Sequence, residues 1–177
     1  MERTLLDDSD HDHQVCRSRA VARAEERCRD EGLRLTEQRR QVLEAMLESH
    51  APVSAYEIMD RIAEKARRPS PISVYRALDF LVAHRFAHRI ESRNAFLACI
   101  DEHGHAASGP EAPLVFLLCE GCGSATEAEP AELGGLLAGI AAAEGFAPSA
   151  SVLEVRGLCA ACRSAGQHHH VHSHSHS

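Results

Sequence analysis

Two Cys-x-x-Cys pairs, Cys119 with Cys122 and Cys159 with Cys162, stand with 36 residues between them, and this limits what the C-terminal part of the 177-residue chain can fold into. Four thiolates paired in this way can close a tetrahedron around one Zn²⁺ at about 2.3 Å per bond, and in a small domain that binding free energy is folding free energy. Ordinary zinc ribbons place their pairs about 15–20 residues apart. The longer stretch here must therefore contain whole secondary elements, and the pattern supplies them. LVFLL at 114–118 reads as a buried strand, SATEAE as a short run able to pair with it, 130–144 as a Leu/Ala helix and 151–156 as a further strand. The result is an α+β unit of about 50 residues, small for an independent core and in need of a staple or a partner. A redox Cys-x-x-Cys is the competing reading, but the chain has no Trp to flank one.

The wider cysteine usage agrees with metal ligation. Seven cysteines is an odd number, and no charged segment followed by an apolar one opens the sequence, so secretion is not expected. The longest apolar run, 114–119, is six residues, far below the roughly 18 needed to span a bilayer. A cytoplasmic protein with reduced thiols is expected, and there paired cysteines serve more often as ligands than as disulfides.

Upstream the period is helical. Residues 15–31 carry Val21, Ala24 and Cys28 on one stripe, with Gly32 as the stop, so Cys28 reads as a small buried hydrophobe. A second helix follows Thr36 with Val42, Leu43, Met46 and Leu47 on one face. A third opens with Ser54 and Glu57 as a capping box, and a fourth with Ser70 as cap and Pro71 in the first helical position. The fourth buries Val74, Leu78, Leu81 and Val82 and turns Ser73, Tyr75, Arg76 and Asp79 outward. At 86–91 and 95–100 the period becomes strand-like across Ser92, Arg93 and Asn94, which predicts a hairpin. Helices followed by a hairpin give the order of a winged helix-turn-helix, whose last helix enters the major groove by its N-terminal half.

The formal net charge of −7 would by itself argue against nucleic acid, but it is unevenly distributed. Residues 1–14 hold one Arg against five acids, 15–99 hold 16 Lys+Arg against 12 acids, and 100–177 hold two against nine. A basic segment is thus hidden in an acidic total, an asymmetry that points to nucleic acid or to an interaction surface. The domain organisation read from these shifts is an acidic tail at 1–14, a winged-helix DNA-binding domain at 15–100, a Gly/Pro/Ala-rich linker at 101–113, an α+β domain at 114–163 and a His-rich tail at 164–177.

The run PISVYRALDFL at 71–81, the wing FAHRIESRNAFLAC at 86–99 and the CEGC…CAAC pairs together resemble the ferric uptake regulator family, and within it the zinc uptake regulator branch, over roughly residues 15–162. The resemblance implies a homodimeric, metal-dependent repressor with an N-terminal winged helix and a C-terminal dimerisation domain. It also implies a second, regulatory zinc site on His88, Cys99, one linker histidine and Glu127. His105 is favoured over His103 as the third ligand, because this linker is longer than is usual in the family. Two Zn²⁺ per subunit follow, one structural on Cys119, Cys122, Cys159 and Cys162 and one regulatory. A donor set of one thiolate, two imidazoles and a carboxylate suits zinc better than iron or manganese.

On DNA, Arg76 is the expected base contact, since arginine can pair with guanine O6 and N7. Tyr56 resembles the family's DNA-contacting tyrosine on the preceding helix, Tyr75 reads as a backbone-contacting or packing residue, and Ser73 belongs to the outer face that carries Arg76. Arg17, Arg19, Arg23, Arg39, Arg40 and Arg93 are candidates for phosphate contacts. The expected partners are double-stranded operator DNA and a second copy of the chain, with no membrane and no small-molecule substrate. No nucleophile with a base partner and no paired carboxylates suggest an enzyme. The expected function is zinc-responsive repression of zinc-uptake genes. The alternatives are a sensor of iron, manganese, nickel or peroxide on the same scaffold, or an intracellular zinc store. Six of the 13 histidines fall in 168–176, a tract expected to bind Zn²⁺ or Ni²⁺ weakly.

Overall fold

The computed structural model describes residues 13–99, 113–128, 130–149 and 151–166, in two compact units. The N-terminal unit opens with α1 (His13–Asp30), which reaches two residues into the stretch expected as tail. It buries Ala20, Val21, Ala24 and Cys28, so Cys28 is a core residue as its stripe predicted. Gly32 ends the helix region at φ +66°, a conformation that glycine adopts without a Cβ penalty.

The next three helices each begin on a hydroxyl cap. In α2 (Glu37–Met46) the Thr36 side chain accepts from the Arg39 N–H at 3.4 Å. In α3 (Ala55–Ala63) Ser54 and Glu57 form the reciprocal capping box, at 3.2 Å from the Glu57 N–H to the Ser54 hydroxyl and 2.7 Å from the Ser54 N–H to the Glu57 carboxylate. These bonds hold the Glu57 carboxyl below its ordinary range. In α4 (Pro71–Ala83) Ser70 caps the Ser73 N–H, and Pro71 stands where no intrahelical donor is missed. The packed faces are Val42, Leu43 and Met46 of α2, Ile58, Met59 and Ile62 of α3, and Val74, Leu78 and Leu81 of α4.

The wing is an antiparallel pair, β1 (Ala87–Ile90) with β2 (Ala95–Ala98), in register Ala87 to Ala98 and Ile90 to Ala95. Both strands are shorter than the sequence pattern suggested: β1 gives up residue 91 to a 3₁₀ turn over Glu91–Arg93, followed by Asn94 at φ +45°, a left-handed position that asparagine tolerates, and β2 starts at Ala95 as expected but ends at Ala98. A contact absent from the sequence reading anchors the wing. Val53, just before α3, exchanges two backbone hydrogen bonds with Phe96 of β2, at 2.9 and 2.8 Å.

The C-terminal unit is a three-stranded sheet in the order β4-β3-β5, built from β3 (Leu114–Cys119), β4 (Ala125–Ala128) and β5 (Val152–Gly157). β4 returns antiparallel beside β3, whereas β5 runs parallel to it, Leu114 opposite Val152 and Cys119 opposite Gly157. A parallel neighbour requires a crossover, and α5 (Ala131–Ala143) lies in it. A short helix that the sequence pattern did not reveal, α6 (Ala160–Ser164), follows β5. Leu136, Ile140, Phe146, Val152 and Val155 are exposed. Among the described residues, no helix is long and apolar enough to cross a membrane.

Two substitutions test this account of the N-terminal unit by urea unfolding. Leu78→Ala removes a fully buried side chain from α4 and should cost about 2–5 kcal/mol. Ser54→Ala should cost about 1 kcal/mol at pH 7. Because the Glu57 pKa is depressed in the folded state, its share is present above the unfolded carboxylate's pKa, about 4.3, and disappears as pH falls through the lower folded value.

Candidate functional site

The parallel pairing of β3 with β5 brings the two Cys-x-x-Cys turns to the same end of the sheet. Cys119 closes β3, Cys122 sits in the turn toward β4, Cys159 caps α6 and Cys162 lies within it. All four sulfurs lie within 4.8 Å of one another, with Cys122 Sγ 4.0 Å from Cys159 Sγ. A tetrahedron with zinc–sulfur bonds of about 2.3 Å has edges of about 3.8 Å, so the four residues fit one zinc ion with little adjustment.

The thiols are unequal. Burial opposes ionisation of Cys119, but the N–H groups of Cys159, Cys122 and Gly121 aimed at its sulfur outweigh it and bring the thiol down to about 6. The Cys159 N–H lies 3.3 Å from that sulfur. Cys122 is lowered by the hydroxyl of Ser124, 3.0 Å away, and then by the Ser124 N–H. Cys162 is pushed up to about 12, first by its contact with Cys159 and then by burial. The cluster thus carries a thiolate at neutral pH while at least one neighbour keeps its proton, and a divalent cation would relieve that competition.

Of the residues expected to form a regulatory site, His88 lies on β1 and Cys99 one residue beyond β2, its N–H donating to the Phe86 carbonyl at 3.0 Å. The register puts them on one face of the hairpin, and their ligating atoms are within 4.8 Å of each other. Glu127 is on β4 of the C-terminal unit, opposite Phe116. His103, His105 and the His-rich tail lie outside the described residues.

The outer face of α4 carries Arg76 and Tyr75, and Tyr56 projects from the start of α3 with 65% of its surface exposed. The Ser73 hydroxyl donates to the Ser70 carbonyl at 2.7 Å, which leaves only its lone pairs for another partner. Arg39 is pinned: its guanidinium stacks 3.4 Å from the centre of the Phe80 ring and donates to the Arg34 carbonyl. With Ser70, Ile72, Ser73 and Arg76 it lines a cleft at the adjoining N-termini of α2 and α4. Arg40, expected among the phosphate-contacting residues, is instead paired with Glu25 of α1 and lies 4.0 Å from Glu44. Arg17, Arg19 and Arg23 ride on α1, and Arg93 is in the hairpin turn.

The family model described as "Ferric uptake regulator family" matches residues 30–156. The chain belongs to the ferric uptake regulator family. It is 36% identical over 142 residues, 80% of each chain, to the zinc uptake regulation proteins of Escherichia coli strain K12 and of Shigella flexneri. A solved structure of a zinc uptake regulator complexed with zinc and DNA shares 34% identity at a TM-score of 0.76, covering 85% of this chain and 97% of that one. Holo XcZur shares 42% identity at a TM-score of 0.72, covering 84% of this chain and 99% of the other.

In this member of the ferric uptake regulator family two features of the helical face were not read from the sequence. One is the Arg39–Phe80 stack, which joins residues 41 positions apart and leaves no local signature. The other is the exposure of Ile72, which the period does signal, since position 72 falls off the stripe of 74, 78 and 81.

Zinc added to the chelator-stripped family member should release protons, but fewer than four per ion at pH 7.5, because Cys119 is already ionised above about 6. Because protons compete for the same sulfurs, zinc affinity should fall as pH falls. A weakly buffered titration with a pH indicator measures the number released.

Proposed function

We propose that this chain is a cytoplasmic, zinc-responsive, dimeric transcriptional repressor that binds operator DNA when its regulatory zinc site is filled and so represses zinc-uptake genes. The observation that carries the reading is the pairing, in one chain, of a winged helix that exposes Arg76, Tyr75 and Tyr56 with a cluster of four cysteine sulfurs of zinc-binding size. The relatives named above as zinc uptake regulation proteins, one of them solved with zinc and DNA, support it.

Two zinc ions per subunit are proposed. Cys119, Cys122, Cys159 and Cys162 hold the structural one, whose loss unravels the small C-terminal unit. His88, Cys99, Glu127 and a linker histidine, His105 rather than His103, hold the regulatory one. The thiolate of Cys99 favours zinc over iron or manganese, which prefer imidazole and carboxylate without sulfur. The exposed apolar side chains of the C-terminal unit and the open edge of β5 support a second copy as partner.

The switch is a population shift. Raising a DNA-competent arrangement from about 1% to 99% requires zinc to favour it by about 5.5 kcal/mol. That is a fraction of the roughly 10–16 kcal/mol a structural zinc site supplies. By linkage, operator DNA tightens the regulatory zinc by the same factor. Arg76 then contacts guanine, Tyr56 and Tyr75 flank it, and Arg39, held against Phe80, meets the phosphate backbone with little side-chain entropy left to lose.

A duplex selected from a random-sequence pool by the zinc-loaded protein should shift in a gel with zinc and cease to shift after a strong chelator; binding indifferent to the chelator would overturn the reading. Cys99→Ser should abolish the zinc response while light scattering still shows a dimer. Native mass spectrometry of the chain ending at residue 163 should count two zinc ions per subunit.

A further inference from the structure

We propose that Ile72 is a specificity-determining residue that reads the C5-methyl of a thymine beside the guanine contacted by Arg76. The inference rests on the DNA-binding reading above and adds to it an apolar contact that the arginine and tyrosines do not provide.

Ile72 is the second residue of α4 and 68% of its surface is exposed, whereas Val74, Leu78 and Leu81 of the same helix are fully buried. It is therefore no part of the core. Its spacing from Arg76 is i to i+4, so the two side chains rise from one helix face. The N-terminal residues of such a helix are those that reach base edges.

Its surroundings decide what it can meet. Ile72 shares its cleft with Arg39, Ser70, Ser73 and Arg76, so two guanidinium groups and two hydroxyls stand beside its aliphatic side chain. An apolar knob on a protein partner would leave both guanidinium groups without counter-charge. A duplex offers a phosphate to Arg39, a guanine edge to Arg76 and a single apolar group in the major groove, the thymine methyl. Four helical residues advance about 6 Å, and base pairs stack about 3.4 Å apart. The methyl should lie within about two base pairs of the guanine.

The test uses the zinc-loaded full-length protein and the selected duplex, in which each thymine is replaced singly by deoxyuridine to remove only the methyl. At one thymine near the guanine contact, deoxyuridine should weaken wild-type binding about fourfold, the scale of one buried methyl group. Ile72→Ser should bind the thymine duplex about fourfold less tightly and be indifferent to deoxyuridine at that position. Ile72→Val, which keeps a branched aliphatic, should remain sensitive. Because the side chain is exposed, both variants should show wild-type circular dichroism. Wild-type binding unchanged by deoxyuridine at every position, or an Ile72→Ser variant as sensitive as wild type, overturns the assignment while leaving zinc-dependent DNA binding intact. Failure of the zinc-loaded protein to select any duplex overturns both.

Discussion

Four sulfur atoms lie within 4.8 Å of one another at one end of a three-stranded sheet, and one zinc ion held by them would tie the two halves of the C-terminal unit together. Parallel pairing of β3 with β5 joins segments nearly 40 residues apart in the chain, and such non-local contacts carry a large closure entropy. The register matters more than the pairing itself, because Cys119 opposite Gly157 leaves Cys159 only two residues beyond the ladder. A slip of one residue would turn every side chain of β5 to the other face and move the second cysteine pair away from the first. A metal ion that demands all four sulfurs would therefore select the register as well as stabilise it. The short helix α6 belongs to the same arrangement, since the Cys159 sulfur caps its first turn, 3.5 Å from the Cys162 N–H.

The N-terminal unit is held differently, by local agreement between sequence and backbone. Each of α2, α3 and α4 starts on a hydroxyl that accepts from a backbone N–H three residues on, and each turns an aliphatic stripe toward one core. Such consistency leaves little competition among alternative folds. It also frees the opposite face of α4 from any packing duty, which is why Arg76 and Tyr75 can be exposed without loss to the core.

Much of this was legible because the signals were short in range. Ser54 with Glu57, Ser70 with Pro71, and the apolar period of 74, 78 and 81 are set within a few residues of chain, and the helices follow them. Asn94 announced a turn, but the 3₁₀ geometry that ends the first wing strand at Ile90 depends on how Glu91–Arg93 settle between the strands. The Cys-x-x-Cys spacing revealed the sulfur cluster because metal geometry forces distant residues together. The partners of individual arginines were not legible. Whether Arg40 faces solvent or Glu25 depends on how α1 lies against α2, and whether Arg39 finds Phe80 depends on the crossing of α2 and α4. Of the expected metal ligands, His88 and Cys99 share a face because the register sets His88 opposite Leu97, two residues before Cys99, and that register depends on how the hairpin closes.

The two hydrogen bonds between Val53 and Phe96 bear on how the hairpin can transmit a pull. Phe96 stands midway along the strand that leads to Cys99, and Val53 immediately precedes the cap of α3. The backbone before α3 is thus laced to the strand that ends beside a thiol, and Tyr56 is the second residue of that helix. A hairpin attached only by its own chain would bend before it moved anything else. Laced in this way, and with Phe86, Ala87, Phe96 and Ala98 packed in the same core as α3, the hairpin belongs to one packed body with the helix that carries the tyrosine.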